Sequence, residues 1–346
     1  MITRRIALAL PTLGLPTLGL PTLGLPTLAL PTLGLPTLGL PILATPASAQ
    51  NWQPERPITM IVAFAPGGGT DVAARTLARF MERELGQSVV VHNRAGAGGE
   101  VGWAELARAR PDGLTIGFIN TPNLVTIPIE RQARYRLEDF SPIANVVDDP
   151  GGFWVLPDSP WRNLADLAAA ARAAPGTISY GTTGVGSDDH LATLAFERLT
   201  GTQLLHVPFN GSSQVRNAIL GRTIQLAAMN MGEGVGDFRQ NVLRPLGQMA
   251  ETRWANTADV PTFREQGFDV VDGSLRGLAA PAGTPAPVLQ RLAGVVRGVM
   301  QHPEFMAAAT QQRLPLRFLD PDQHRSVLFA MRENYQRMWA QHPWRE

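Results

Sequence analysis

Two glycine-rich runs hold most of the chemistry this sequence can offer: APGGGTD at 65–71 and GTTGVGSDDH at 181–190. Each follows an apolar run and opens a segment with helical periodicity. Glycines in such a place leave backbone N–H groups unobstructed, and the positive end of a helix dipole points at the same spot. The chemistry on offer is anion binding. Ser187, Asp188 and His190 also have the residue types of a hydrolytic triad, but no G-x-S-x-G elbow surrounds them. At a helix start such residues serve as caps. Thr70 and Ser187 are the expected N-caps, with Asp71, Asp188 and Asp189 as first-turn acids complementing the dipole. Either run alone needs no ligand to explain it; two in matching positions favour binding.

Several other chemistries are excluded. A Walker loop needs Gly-Lys-Ser/Thr, and all 30 cationic side chains are arginine. GVGSDD lacks the third glycine of the dinucleotide fingerprint, and APGGGTD has the wrong spacing. Cysteine is absent, which removes disulfides, thiolate metal sites and cysteine nucleophiles together. His92, His206, His302, His324 and His342 are scattered without i, i+4 pairing, so no metal site is expected. His190 and His206 suit loop hydrogen bonding, with His190 at the cleft. A formal charge of +1 without a basic run argues against nucleic acid as a partner. No cofactor and no catalytic residue is expected.

The elements that must position the two runs alternate along the chain. ITMIVAF (58–64), SVVVHN (88–93) and LTIGFIN (114–120) read as strands, with helices at 70–85 and 100–109 between them. On the first helix Ala73, Leu77, Phe80, Met81 and Leu85 share one face, and Gly86 is a stop. Strand, helix, strand in succession implies right-handed crossovers and a parallel sheet. The pattern restarts after 157, with helices at 163–173 and 188–200 and strands at 176–181, 204–209 and 224–230. In helix 188–200, Leu191, Leu194, Ala195 and Leu199 are expected inward. PLGQMA (245–250) adds a strand, and helices follow at about 286–300 and 321–341. The reading is α/β with two lobes. Residues 50–148 with 275–346 form the first, discontinuous lobe and 149–274 the second, with crossings near 145–155 and 270–280 as the hinge. Ligands of open α/β sheets sit outside the carboxyl ends of the strands, where both glycine-rich runs fall. Joined by two crossings alone, the lobes are expected to need a bridging ligand to stay shut.

The first 49 residues differ from the rest. MITRR is followed by five copies of PTLGL and one PTLAL, beginning at Pro11, Pro16, Pro21, Pro26, Pro31 and Pro36. A proline every five residues cannot continue an α-helix, so the run is a poor transmembrane span. Ala47-Ser48-Ala49 fits the small-x-small pattern of a secretory cleavage site. The expectation is a signal peptide over 1–49 with an expanded repeat in its apolar region; the rival is an uncleaved anchor. TRRIAL half-matches a twin-arginine signal.

The mature sequence resembles a known family over essentially all of 52–341. RPITMIVAFAPGGGTDVAARTLARFM, VVVHNRAGAGGEVG, ARARPDGLTIGF, SYGTTGVGSDDHLATLAF, LLHVPFNGSSQVRNAILGRTIQ, LRPLGQMAETRW, VPTFREQG and GLAAPAGTP occur in the order seen in the Bug receptors. These are the periplasmic substrate-binding proteins of tripartite tricarboxylate transporters. The resemblance implies a two-lobe Venus-flytrap of the type II periplasmic-binding class, with a small carboxylate held between the lobes. Carried over by position, Ala65, Pro66, Gly67, Gly68, Thr70 and Asp71 match the family's first loop. Gly181, Thr182, Thr183, Gly184, Gly186, Ser187 and His190 match its second, and Phe209 and Asn210 match a contact pair. Asn210 departs from the family's lysine, Asp188 and Asp189 are unusually acidic, and GSLRG (273–277) lacks the usual tryptophan.

The resemblance therefore implies an exported periplasmic receptor, expected to act as a monomer without enzymatic activity. It would take a di- or tricarboxylate, an acidic amino acid or an aromatic acid, and hand it to permease subunits or signal to a sensor kinase. The rival class is a secreted hydrolase acting on a carboxylate ester in the same cleft. Since neither loop contains lysine or arginine, the carboxylate is expected to be held by backbone N–H groups rather than by a buried cation.

Overall fold

The computed structural model describes residues 52–344; the expected leader at 1–49 lies outside them. Strand β1 (Ile58–Val62) pairs in parallel with β2 (Val89–Asn93) on one side and β3 (Thr115–Asn120) on the other. Helix α1 (Gly69–Leu85) crosses between β1 and β2, and α2 (Glu100–Ala107) between β2 and β3. The expected face of α1 is buried at Ala73, Leu77, Phe80, Met81 and Leu85. Burying each large side chain among them contributes about 1.5–3 kcal/mol relative to leaving it exposed. Gly86 ends the helix in the left-handed region, which glycine enters without a Cβ penalty.

The start of α1 differs from expectation. Its N-cap is Gly68, in extended backbone and without a side-chain cap bond. Thr70 is the second residue of the helix, where its hydroxyl accepts from Asn120 Nδ2 at 3.1 Å. Ser187 does cap α5 (Asp188–Thr200), accepting from the His190 N–H. On α5 the buried stripe runs through Leu191, Ala192, Phe196 and Thr200. That turns Leu199 outward, 56% exposed, and leaves Leu194 and Ala195 half-buried.

Strand β4 (Phe140–Val155) ties the molecule together. Over Phe140–Pro150 it pairs antiparallel with β9 (Gly273–Pro281), which is itself antiparallel to β3; β10 (Leu316–Leu319) lies on the same stretch of β4. From Gly151 onward its partners change to β7 (Leu226–Asn230) and β8 (Arg244–Gln248). Strand β5 (Ser179–Thr182) joins β7 in parallel, and β6 (Leu205–Pro208) joins β5. Each half has apolar cores of its own. Leu77, Phe80, Phe118 and Val296 belong to the first half, with a second layer around Trp103 and Tyr135 on the opposite face. Phe153, Tyr180, Phe196 and Phe263 belong to the second, with Trp154, Val215 and Ile219 opposite. The architecture is α/β with helices on both faces of a mixed sheet, in two halves that exchange partners along one strand.

The halves also touch directly. Ala65 N–H donates to Asn210 O at 2.9 Å, the Ser213 hydroxyl to Pro66 O at 2.9 Å, and the Thr126 hydroxyl to Gly186 O at 2.7 Å. The expectation that two crossings alone join the halves therefore fails. Protein–protein hydrogen bonds between the loops supplement them, because both loops sit at strand ends that face each other.

Candidate functional site

The loops after β1 and β5, the end of β3 at Asn120 and the end of β7 at Asn230 all lie at carboxyl ends of parallel strands. The first residues of β9 and the middle of β4 bring Arg276 and Asp149 to the same place. Sequence reasoning missed the residue at the centre. Arg276 is 2% exposed; Nη1 donates to Asp149 Oδ2 (3.2 Å), and Nη2 to Asn230 Oδ1 (2.7 Å) and Glu233 Oε1 (3.0 Å). Asn230 Nδ2 in turn donates to Asp188 Oδ2 at 2.7 Å.

Glu233 belongs to α7 (Met231–Arg239) and closes that helix's capping box, accepting from the Asn230 N–H. Its other oxygen reaches across to the first loop, where the Gly69 N–H donates to it at 3.2 Å. A Cβ at Gly69 would lie 2.4 Å from Arg276 Nη1 and 2.5 Å from Glu233 Oε1. Only glycine lets the backbone come this close. The N-x-x-E pattern at 230–233 is a visible capping signal, but nothing local says that it also faces another loop.

Several other loop donors are engaged too. Gly67 N–H gives to Asp71 Oδ2 (2.9 Å), Gly184 N–H to the Thr182 hydroxyl (3.1 Å), Gly186 N–H to His190 Nδ1 (3.1 Å) and Thr183 N–H to Asp189 Oδ2 (3.3 Å). The expectation that no buried cation stands beside the loops fails, since Arg276 lines the same wall as Gly69. Asp71 turns into its own half, toward Arg75 and Asn93. Burial alone would raise its pKa, but those hydrogen bonds outweigh it and hold the group below the ordinary value.

Two adjoining cavities border the first loop, sharing Gly69, Ser212, Glu233 and Arg276 as a common wall, and the smaller one also reaches the second loop. The smaller, about 10 Å³, adds Gly68, Thr70, Asn120, Thr183 and Asp188. The larger, about 180 Å³, adds Gly67, Asp149, Ser213, Arg216 and Arg313. Bigger hollows of about 710 and 650 Å³ contain no residue of either loop.

The remaining residues singled out in the sequence line neither cavity. Ala65 and Pro66 bond across to the other half through their backbones. Gly181 lies beneath the second loop, where a Cβ would meet Ile224 and Phe209, and Gly184 faces Gly98 across the gap. Thr182 hydrogen-bonds His206, whose ring stacks on His190 with centroids 4.2 Å apart. Ser187 is fully buried as a cap. Phe209 packs against the core of the second half, and the exposed Asn210 contributes its backbone. Neither Phe209 nor Asn210 borders the cavities.

The electrostatics are set by burial. It pushes Asp149 up to about 7, against the pull of Arg276. Asp188 and Asp189 are also raised by burial, and Asp188's charge raises Asp189 further. Arg276 is held above its ordinary value by Glu233 and Asp149 despite its burial. His190 is pushed down to about 3 by burial, reinforced by His206, so it is neutral and its Nδ1 can accept. Among the described residues no cluster of His, Cys, Asp and Glu has metal-binding geometry, and no helix is long and apolar enough to cross a membrane.

Residues 73–329 match the profile described as "Tripartite tricarboxylate transporter family receptor", and residues 14–41 match six copies of a GLTT repeat. The sequence is 33% identical to Protein BugT of Bordetella pertussis (strain Tohama I), covering 80% of this chain and 86% of that one. The fold superposes on the periplasmic binding protein BugD with a TM-score of 0.78 and 29% identity, covering 83% of this chain and 98% of that one. A protein of R. palustris solved with adipate gives a TM-score of 0.78 at 26% identity, over 83% of this chain and 97% of that one.

Proposed function

Because the chain belongs to the tripartite tricarboxylate transporter receptor family, the Bug receptors, we propose that it captures a small carboxylate between its two halves and delivers it to the membrane subunits of such a transporter. The family is one of periplasmic solute-binding receptors. Residues 50–148 with 275–346 act as one lobe and 149–274 as the other, turning about β4 and β9. The observation that carries the reading is Arg276, a buried guanidinium on the wall shared by the two adjoining cavities. The R. palustris relative solved with adipate supports a carboxylic acid as the ligand. The protein acts as a monomer that binds without turning its ligand over. In support, Ser187 is a buried helix cap rather than an exposed nucleophile.

Calorimetric titration of the purified protein with di- and tricarboxylates, amino acids and aromatic acids tests this. At least one should bind at micromolar strength, about −8.2 kcal/mol, and Arg276→Gln, with folding checked by circular dichroism, should weaken it at least tenfold (about 1.4 kcal/mol). Absence of binding by every carboxylate defeats the proposal. Residues 1–49 serve as a cleaved leader. Intact mass of protein exported by a Gram-negative host should begin at Gln50; a product that retains the PTLGL repeats and partitions with membranes speaks for an anchor.

A further inference from the structure

The walls of the two cavities differ in chemistry, which narrows the solute class; the inference rests on the carboxylate-receptor reading above. Three carboxylates of the protein already sit where ligand anions were expected. Gly69 N–H gives to Glu233, Gly67 N–H to Asp71, and Thr183 N–H to Asp189. The smaller cavity is walled by Asp188 and Glu233, with Arg276 as its single cation. At about 10 Å³ it suits one water-sized group, which is also the size of an ammonium.

The larger cavity has the same Glu233 and Arg276 on its shared wall and adds Asp149, but it is richer in cations. Arg313 and Arg216 border it, beside Ser213 in the first turn of α6 (Ser212–Leu220). Arg216 is committed to Asp237, whereas Arg313 has no ion pair among the described residues. Arg276 stands between the two cavities, and its Nε, fully buried, has no hydrogen-bond partner among the described residues. A buried donor left unsatisfied is costly, so this atom is an independent sign that a polar group belongs beside it.

We propose that the solute is a carboxylate that also carries a cationic nitrogen, an amino acid in the simplest case. Its nitrogen sits against Asp188 and Glu233, and its carboxylate lies toward Arg276 Nε and Arg313. A plain dicarboxylate would instead set one of its anionic ends against the protein's own carboxylates, a like-charge contact that disfavours binding. An ammonium in that place favours the ionised forms of the buried acids around it.

Matched pairs on one carbon skeleton provide the test: aspartate with succinate, glutamate with glutarate, 2-aminoadipate with adipate, each titrated into the purified protein. In at least one pair the amino member should bind at least about tenfold tighter, roughly the worth of one charge-assisted hydrogen bond. Asp188→Asn, and separately Glu233→Gln, should bring that ratio down toward one while the protein stays folded. A plain dicarboxylate binding as tightly as its amino partner in every pair overturns the inference but leaves the receptor reading standing. A ratio that survives both substitutions overturns the placement of the nitrogen. Failure of both members of every pair, along with all other carboxylates, overturns the receptor reading itself.

Discussion

Glu233 does at the first loop what a ligand carboxylate was expected to do, and this depends on Gly69 having no side chain. Alanine there would gain about 1 kcal/mol of helix propensity. Its Cβ would also press on Arg276 Nη1 and Glu233 Oε1, both held by hydrogen bonds and unable to withdraw cheaply. Overpacking of this kind costs about 1–3 kcal/mol, so the clash wins. Gly69→Ala should lower the urea midpoint and weaken solute binding together; unchanged stability would mean that the Arg276–Glu233 pair is softer than its geometry implies. Asp149 supplies a pH signature. Its folded pKa, about 7, lies above the ordinary aspartate value of 3.8, so between those values the folded state holds more protons than the unfolded one. Stability from this group is therefore lost as pH rises through that window. His190, lowered to about 3, and His324, lowered to about 4, act in the opposite sense, losing stability as pH falls below 6.5. For that reason the test is a difference: wild type minus Asp149→Asn, measured by urea unfolding, should decline from about pH 4 to 7. A flat difference counts against a protonated Asp149.

At the scale of elements, β4 and β9 carry the joint between the halves. Gly277 of β9 lies opposite Asn145 of β4, and a Cβ there would come 2.3 Å from Ala144 O and 2.7 Å from Asn145 Cα. Those neighbours are backbone, which yields less readily than the end of a side chain. Gly277→Ala should therefore spread the two strands and destabilise the protein by about 1–3 kcal/mol or more, visible as a lower melting temperature. An unchanged melting temperature would show that this seam is slack. Helices α1 and α5 contribute in a different way. Their starts face each other, but side chains of their own loops already occupy the N–H groups of Gly67, Thr183, Gly184 and Gly186. The dipoles therefore hold the loops in shape as much as they attract a solute.

For the whole molecule, the proposed balance between open and closed forms rests in part on bonds at the rims, beside those of Gly69 and Arg276 to Glu233. Thr126 to Gly186, Ser213 to Pro66 and Ala65 to Asn210 join the halves at their rims, and each net contribution is about 0.5–1.5 kcal/mol. The double variant Thr126→Val, Ser213→Ala should shift the population toward the open form and enlarge the radius of gyration in solution scattering. A tightly bound solute should restore the smaller radius. At one hundred times its dissociation constant it adds about 2.7 kcal/mol to native stability, or several degrees of melting temperature at about 2–4 °C per kcal/mol for a domain of 150–250 residues. Equal radii in the variant, with and without solute, would count against hinge closure.

The elements with a strong local period were legible without coordinates. The face of α1, the cap at Ser187, the stop at Gly86 and the parallel β1–β2–β3 set follow from spacing alone, because hydrophobic periodicity and helix termini are short-range effects. Strand β4 was not legible, since FSPIANVVDDPGGFWV keeps no single alternation. One stretch of it is covered by β9 and β10 and the rest by β7 and β8, so its burial pattern changes partway along. The site divides in the same way. The two glycine-rich loops announced themselves, whereas Arg276, Glu233, Asn230 and Asp149 lie far apart in the chain and look ordinary in their own segments. Only the exchange of strand partners along β4 and β9 brings an arginine and several acids to one wall, and burial there gives them their charge states. Local order was written in the sequence; the chemistry of the cleft was decided by long-range packing.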